Sequence, residues 1–349
     1  MTKKIPGIKH NRIAIASDLH AGVHHNSHTW HEILHDWADW FISECNKHGI
    51  KDIVIPGDFF HHRNEINVHT MHTVCKLFHK FKDFNILGLV GNHDAYYKNN
   101  SRVHSLGFLN EWENVFIADE VTTFQAFGKN ITLCPWGVNL EEIPESDIIF
   151  GHFELQGFHL NKSKVCTHGF TSEEILDKAP LIITGHFHIR DDRKYKKGHI
   201  LYTGSAYELD WGDSGTSKGY YILDVETSNY DFYENNITPK HKKVFLSEIS
   251  KTGITPEIKE TFKDNWIKLY VDKKIKEDRI ELLISKLNAL KPINIKVEFD
   301  TFGDENLDID YEFAGVDINQ SIKEFVNELD IEYKDEVTSY ILDLYKKVS

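Results

Sequence analysis

The first 230 residues alternate between short β-branched runs and stretches with helical periodicity. The run Arg12–Ser17 predicts a buried strand. In the segment after it, apolar residues recur at intervals of three and four from Trp30 to Phe41, which predicts a helix packed on a sheet, with its tryptophans in the core. A second helix is predicted over about 66–82, and further strands at Asp52–Pro56, Asn85–Val90, Asn130–Cys134, Asp147–Phe150, Leu181–Thr184, Ile200–Thr203 and Tyr220–Val225. This order favours an α/β layered fold for residues 1–239.

The pattern changes near residue 240. Apolar residues alternate along Ile267–Val271 and again along Ile293–Val297, and a helical stripe from Ile280 to Leu290 lies between them. Lys and Arg outnumber Asp and Glu in this region. Residues 240–300 are therefore predicted to form a compact, basic β-α-β domain.

The remaining residues are strongly acidic. Residues 301–317 contain no Lys or Arg, which predicts a solvated linker. Residues 318–349 predict a hairpin of two short amphipathic helices, which either packs on its own domain or docks into a groove of a partner. The apolar residues of this predicted hairpin are Ile322, Phe325, Leu329, Val337, Tyr340, Ile341 and Leu344.

The composition limits the class of protein. Hydrophobic residues make up 40% of the 349 residues and charged residues 27%, as in a soluble globular protein. No apolar run approaches the roughly 18 residues of a membrane span. The net charge of −14 excludes a uniformly basic nucleic-acid coat, so any DNA must be held by a local patch, bound cations or a partner. The four cysteines form no CxxC pair and are expected to be free thiols in a reducing cytoplasm.

Five short polar motifs each follow a predicted strand. They are Asp18-Leu19-His20, Gly57-Asp58, Gly91-Asn92-His93-Asp94, Gly151-His152 and Gly185-His186-Phe187-His188. Loops at the carboxyl ends of strands converge on one rim of an α/β sheet, where ligand sites lie. The 22 histidines of the chain add weight to these motifs, because histidine is the commonest metal ligand.

The converging groups are too many for one ion of four to six ligands. They are Asp18, His20, Asp58, Asn92, His152, His186 and His188. Such a set suits two divalent ions about 3.5–4 Å apart that share a carboxylate, with a hydroxide between them. Imidazole, carboxylate and amide ligands without thiolate favour Mn²⁺, Fe²⁺ or Zn²⁺ over Ca²⁺ or a structural zinc.

These motifs resemble the signature of the calcineurin-like metallophosphoesterases, which reads DxH, GD, GNHD or GNHE, GH and GHxH, over roughly residues 12–205. The resemblance implies two packed β-sheets flanked by helices, and hydrolysis of a phosphoester. It assigns the ligands as follows: Asp18, His20 and His188 to the first metal ion, Asn92, His152 and His186 to the second, and Asp58 to both. It also implies that His93 stabilises the phosphate or protonates the leaving oxygen, and that Asp94 orients His93.

The residues after Gly57-Asp58 distinguish the subfamilies. Protein Ser/Thr phosphatases have GDxxDRG and purple acid phosphatases have GDxxY, whereas this chain continues Phe59-Phe60-His61. GDxFH with GNHD resembles the Mre11/SbcD group of DNA repair nucleases, and the compact cap and helical hairpin resemble its phage members. The resemblance implies a Mn²⁺-dependent DNA exonuclease and endonuclease, with Mg²⁺, Fe²⁺ or Zn²⁺ as other possible ions. In such an enzyme His61 positions the nucleotide.

The same resemblance implies partners. It predicts a homodimer, and a Rad50/SbcC-type coiled-coil ATPase that acts with this protein in recombination and repair. This chain has no GxxxxGK[ST] phosphate loop, so any ATP-driven step must come from another chain. Candidate DNA-binding residues fall in a basic loop (Arg190, Arg193, Lys194, Lys196 and Lys197) and in the cap (Lys268 and Lys296), although both can equally be solvated faces. Two other functions stay open: a phosphodiesterase for small or cyclic nucleotides, and a scaffold subunit with weak activity.

Overall fold

The computed structural model describes residues 7–162, 164–272 and 277–299, together with 326, 333–334 and 337–342. The chain divides into two compact units, Met1–Lys240 and His241–Ser349. Within the described residues, no helix is long and apolar enough to cross a membrane. The predicted linker 301–317 and most of the predicted hairpin 318–349 lie outside the described residues.

The first unit is built on two six-stranded sheets. Its strands are β1 (Arg12–Ile15), β2 (Asp52–Ile55), β3 (Asn85–Leu89), β4 (Val115–Ala118), β5 (Thr122–Ala126), β6 (Lys129–Cys134), β7 (Ile148–His152), β8 (His159–Asn161), β9 (Lys164–Val165), β10 (Leu181–Gly185), β11 (Asp191–Lys194), β12 (His199–Tyr202), β13 (Gly219–Asp224) and β14 (Asn229–Glu234). Its helices are α1 (Val23–Asn26), α2 (His28–Lys47), α3 (Val68–Lys80) and α4 (Ser172–Leu176), with 3₁₀ turns at Gly107–Glu111 and Leu140–Glu142. The first sheet has the order β14-β13-β1-β2-β3-β4, and the second β11-β12-β10-β7-β6-β5.

The two sheets pack face to face. Ile13 and Ile15 of β1 belong to the same buried cluster as Ile148 and Phe150 of β7, because alternate residues of each strand point into the shared core. The opposite face of the first sheet is covered by helix α2, whose Phe41 ring lies 5.1 Å from a tyrosine ring of β13. This confirms the predicted layers of two sheets flanked by helices.

Parallel strands bring the five motifs together. Strands β1 to β4 run parallel, as do β6, β7, β10 and β12, so the carboxyl ends in each sheet share one rim. A bridge between Ser17 and Ser205 joins the loop after β1 to the loop after β12. The motif-bearing rims of the two sheets are therefore continuous.

The eight strands predicted for this unit are all present, and the predicted helix over 66–82 spans Val68–Lys80. Six strands of this unit were not predicted: the edge strands β4, β5, β11 and β14, and the two-stranded sheet of β8 and β9. It was also wrong about the basic loop: Asp191–Lys194 is an edge strand paired with β12. Strand β11 has no continuous apolar face, since its side chains are alternately half-buried and exposed.

The second unit contains the predicted β-α-β element. Its strands are β15 (His241–Phe245), β16 (Trp266–Val271) and β17 (Asn294–Phe299), and its helices are α5 (Leu246–Thr252), α6 (Pro256–Phe262) and α7 (Glu277–Asn288). The alternating residues Ile267 and Leu269 of β16 pack with Ile295 and Val297 of β17 in one buried cluster. Strand β15, which pairs in parallel with β16, was not predicted.

A histidine pair between α2 and α3 makes stability depend on pH. His31 lies with its Nδ1 3.0 Å from Nδ1 of His69, and its Nε2 is 3.0 Å from the hydroxyl of Thr70. Burial, assisted by His69, lowers the pKa of His31 to about 4. Between the folded pKa and the higher pKa of the unfolded chain, the unfolded chain binds a proton that the folded protein does not. The free energy of unfolding therefore decreases as the pH falls through this range.

We therefore expect acidification from pH 8 to pH 5 to reduce the free energy of unfolding by about 2 kcal/mol through His31 alone. The variant His31→Gln should lose this part of the pH dependence, as measured by chemical unfolding at both pH values. Equal pH dependence in the variant and the parent protein would contradict the assignment.

Candidate metal centre

Four residues of the site have backbone conformations that residues other than glycine rarely adopt. Asp18, His20, Asp58 and His186 have φ of 56°, 46°, 55° and 90°. Left-handed conformations of non-glycine residues cost energy and cluster at functional sites. The two loops after β1 and β2 are fixed to each other, since His20 N–H donates to the carbonyl of Asp58 at 3.0 Å.

Glycine is required where the loop after β3 passes Asp58. A Cβ atom on Gly91 would overlap both the carboxylate and the backbone nitrogen of Asp58. The N–H of His93, from the same loop, donates to Asp58 Oδ1 at 2.9 Å. The glycine of the GNHD motif therefore lets the backbone approach close enough to hold this carboxylate in place.

The first donor group consists of Asp18, His20 and His188, whose ligand atoms all lie within 4.8 Å of one another. His20 Nε2 is 3.0 Å from His188 Nε2 and 4.0 Å from Asp18 Oδ1. Burial lowers the pKa of His20, and it lowers that of His188 to about 4. Two neutral imidazoles with facing ring nitrogens beside a carboxylate are a donor set that fits a divalent cation.

The second donor group consists of Asp58, His152 and His186, which meet the same distance limit. Asn92 joins them, because its Oδ1 lies 2.9 Å from His152 Nε2 and 2.9 Å from His186 Nδ1. The other ring nitrogen of His152 donates to the carbonyl of Pro56 at 2.6 Å. Because Nδ1 of His152 is hydrogen-bonded to this carbonyl, Nε2 is the nitrogen that faces the site, an arrangement that is usual for metal-binding histidines.

Asp58 lies between the two groups. Its Oδ2 is 3.5 Å from His20 Nε2, and its Oδ1 is 3.4 Å from His152 Nε2. Burial opposes ionisation of Asp58, but its interactions with His152 hold its pKa well below the ordinary value. Burial raises the pKa of the neighbouring Asp18 to about 7. Burial lowers the pKa of His152, but Asp58 outweighs this effect and raises that pKa to about 9. Two buried carboxylates surrounded by imidazole nitrogens fit two cations with one shared ligand.

His93 and His61 lie beside the first donor group. The ring centroid of His93 is 4.8 Å from that of His20, and His61 Nδ1 is 3.3 Å from His20 Nδ1. His93 Nδ1 donates to the carbonyl of His61 at 2.6 Å, which directs its Nε2 away from this contact. Burial and the neighbouring His93 lower the pKa of His61 to about 4.

The expected contact between Asp94 and His93 is corrected by the structure. The carboxylate of Asp94 is buried and accepts hydrogen bonds from the N–H groups of Phe59, Phe60 and Gly91, each at 3.0 Å. Asp94 therefore joins the GD loop to the GNHD loop, and the ring of His93 is oriented by His61. The position of Asp94 indicates a structural contribution to the site.

Sequence analysis missed Glu154, which supports the second donor group. Its Oε1 lies 3.4 Å from His186 Nε2 and 3.1 Å from His168 Nε2. The opposite nitrogen of His186 faces Asn92, so Glu154 fixes the ring from behind. Its only sequence signal is its position two residues after His152 on the rim of the sheet.

We expect Glu154→Gln to weaken metal binding at the second donor group by about tenfold or more, because carboxylates behind ligating histidines orient the ring and raise its basicity. Titration calorimetry with Mn²⁺ measures both sites. The matched control is Glu174→Gln, which changes a glutamate that caps α4. Identical Mn²⁺ affinities in Glu154→Gln and the parent protein would contradict this role.

Three of the five residues of the predicted basic loop have partners within the first unit. Arg193 binds Asp191 at 2.6 Å and lies 3.9 Å above the ring of Phe158. Arg190 lies 4.1 Å above the ring of Phe232, and Lys197 pairs with Asp177. Lys194 and Lys196 are exposed, and in the described part of the chain neither forms an ion pair. DNA binding by these five residues stays a prediction.

The residues of the second unit that were predicted to bind DNA or a partner lie partly within the described residues. Lys268 lies 2.8 Å from Glu298, and Lys268 and Lys296 are register neighbours on β16 and β17. Tyr340 is exposed, and Val337 and Ile341 are half-buried. The other residues predicted to bind a partner, Ile322, Phe325, Leu329 and Leu344, lie outside the described residues.

Comparison with known proteins agrees with this geometry. Residues 11–190, more than half of the chain, match the profile of the calcineurin-like phosphoesterases, and the chain belongs to that family. The chain is also 28% identical over 309 residues to exonuclease subunit 1 of Enterobacteria phage T4, covering 83% of this chain and 86% of that protein.

Among solved structures, one of an archaeal phosphodiesterase aligns with 64% of this chain and 99% of its own, at 16% identity and a TM-score of 0.36. Members of the family use divalent metal ions, and the two donor groups described above fit such ions.

Proposed function

We propose that this protein is a divalent-metal-dependent nuclease that hydrolyses DNA phosphodiester bonds, with exonuclease and endonuclease activity. The observation that carries the proposal is Asp58 between two buried donor groups, with His61 and His93 on one side of them. The combination of GDxFH and GNHD supports DNA as substrate. So does the similarity to a phage protein whose name is exonuclease subunit 1.

The residues of the chain divide the chemistry between them. Asp18, His20 and His188 would hold one ion, and Asn92, His152 and His186 the other, with Asp58 shared. The ions would activate water and stabilise negative charge on the phosphate. His93 Nε2 would contact the phosphate or donate a proton to the leaving oxygen, and His61 would position the nucleotide.

Several finer expectations belong to the same proposal. Mn²⁺ is the proposed ion, because the donors combine imidazole, carboxylate and amide without thiolate. The word "subunit" in the name of the phage relative supports an assembly with further chains. For this chain we propose a homodimer in the host cytoplasm and a partner ATPase of the Rad50/SbcC type, in DNA recombination and repair.

The proposal is tested with the full chain on single-stranded DNA, duplex DNA and bis-p-nitrophenyl phosphate, with Mn²⁺ and with EDTA. We expect Mn²⁺-dependent cleavage of DNA and of the small diester, and none in EDTA. Cleavage of the small diester or of cyclic nucleotides with no cleavage of either DNA would refute the nuclease. Absence of any hydrolysis with two bound Mn²⁺ ions would favour a scaffold subunit.

A further inference from the structure

Two adjacent aromatic rings are exposed on the loop that also carries Asn92 and His93. Tyr96 and Tyr97 are 52% and 48% exposed, and they follow Asn92 and His93 in the loop after β3. Their rings form an edge-to-face pair with centroids 5.1 Å apart. Val103, in the same loop, is 50% exposed. Large exposed apolar groups in one loop indicate a surface that binds something, because folding alone does not retain them.

A tryptophan borders the second donor group. The ring of Trp136, in the loop after β6, is half-buried. Its centroid lies 5.1 Å from that of His186 and 6.1 Å from that of His152. A ligand whose phosphate lies at these histidines would therefore have this indole within one nucleotide of it.

The two loops are joined by hydrogen bonds. Trp136 Nε1–H donates to the carbonyl of Lys98 at 2.8 Å, and its backbone N–H donates to the carbonyl of Val90 at 2.8 Å. The tyrosine loop is closed by Tyr96 N–H, which donates to the carbonyl of Val103 at 2.8 Å. The indole and the backbone that carries the tyrosines are therefore held in place before any ligand arrives, which lowers the ordering cost of binding.

We infer that Tyr96, Tyr97 and Trp136 form a stacking platform that binds unpaired bases of single-stranded DNA next to the metal centre. This inference rests on the proposed nuclease function and defines its substrate class. Rings of this kind stack on any base, but the base faces of a duplex are already covered by their neighbours. The platform thus selects single strands and frayed ends.

Position and charge favour DNA over a protein partner. The tyrosines share a loop with Asn92, and Trp136 borders His186, so a protein seated there would lie against residues that the substrate must reach. Lys98 follows the tyrosines, and its carbonyl accepts the hydrogen bond from Trp136. Its side chain is exposed and forms no ion pair with any residue that the structure describes. It supplies one cation for a backbone phosphate, in a protein whose net charge of −14 repels DNA elsewhere.

The test measures binding without cleavage. The full chain, in EDTA, is titrated against fluorescein-labelled oligothymidylate of about 12 nucleotides, within the site sizes of single-strand binders. We expect the double variant Tyr96→Ala, Tyr97→Ala and the variant Trp136→Ala each to raise Kd by about fivefold to a hundredfold. Binding to a blunt duplex of the same length should change by less than about twofold, because its bases are not accessible to the rings.

Ring-retaining variants and a distant ring serve as controls. Tyr96→Phe with Tyr97→Phe, and Trp136→Phe, should bind within about twofold of the parent protein, since stacking needs only the ring. Phe127 is 41% exposed in the turn between β5 and β6, and Phe127→Ala should not change Kd. The tyrosine pair keeps the test decisive if Trp136→Ala fails to fold.

Three results would overturn the platform. The first is unchanged oligothymidylate binding in the alanine variants. The second is an equal loss in the phenylalanine variants, which would show that the hydroxyl groups and the indole N–H, and not the ring faces, are responsible for binding. The third is a different oligomeric state of the alanine variants and the parent protein in analytical ultracentrifugation, which would make the surface a protein interface. Failure of the parent protein to cut DNA with Mn²⁺ would instead refute the nuclease, and the binding result would stand separately.

Discussion

Replacement of Asp58 by asparagine is expected to abolish hydrolysis, with a loss in kcat/KM of at least about a thousandfold. The two carboxylate oxygens of Asp58 face different donor groups, at 3.5 Å from His20 and 3.4 Å from His152. An amide offers one neutral oxygen and one N–H donor, so it cannot serve both ions. The loss should appear with DNA and with bis-p-nitrophenyl phosphate alike.

The matched control is Asp52→Asn, at the opposite end of strand β2. Asp52 is also buried, and it accepts hydrogen bonds from the backbone of Lys9 at 3.1 Å and of His10 at 3.0 Å. This variant should lose stability and keep its activity. Calorimetry with Mn²⁺ completes the comparison: two bound ions and normal turnover in Asp58→Asn would exclude the shared-ligand role.

The rim of the sheets was predictable because two signals coincide there. Buried parallel strands are continuous β-branched runs, and at this rim each run is followed at once by glycine or by a polar group. The sequence alone therefore predicts that Asp58, Asn92 and His152 lie near one another. The alternation of β-branched runs with helical stretches also predicted the α/β layers of the first unit.

Edge strands and supporting contacts lacked such signals. Strand β11 consists of charged residues and has no apolar face, so its sequence is typical of a basic loop. Asp191 and Arg193 lie on one face of the strand and pair with each other, and the sequence gives no sign of this contact. Glu154 and Trp136 belong to the site only through tertiary packing against His186. The carboxylate of Asp94 accepts hydrogen bonds from backbone N–H groups. No sequence pattern distinguishes an aspartate that binds backbone N–H groups from one that orients a histidine ring.

The last prediction concerns His93, for which two contributions were left open. His93→Gln is expected to reduce DNA hydrolysis by about a hundredfold or more, because it removes a positioned proton donor or phosphate contact. Mn²⁺ binding should stay at two ions per chain, since neither of the proposed ligand sets contains His93. Loss of an ion in calorimetry would instead make His93 a ligand, as its proximity to His20 and His61 would allow.

The leaving group separates the two contributions of His93. The sugar oxygen released from DNA is strongly basic and needs a proton, whereas p-nitrophenolate leaves without one. If His93, protonated on both ring nitrogens, donates that proton from Nε2 and keeps the one on Nδ1, His93→Gln should affect bis-p-nitrophenyl phosphate far less than DNA. An equal loss with both substrates would assign His93 to stabilisation of the phosphate. We expect the unequal loss, because the hydrogen bond from Nδ1 to the carbonyl of His61 keeps Nε2 directed to one position, as general acid catalysis requires.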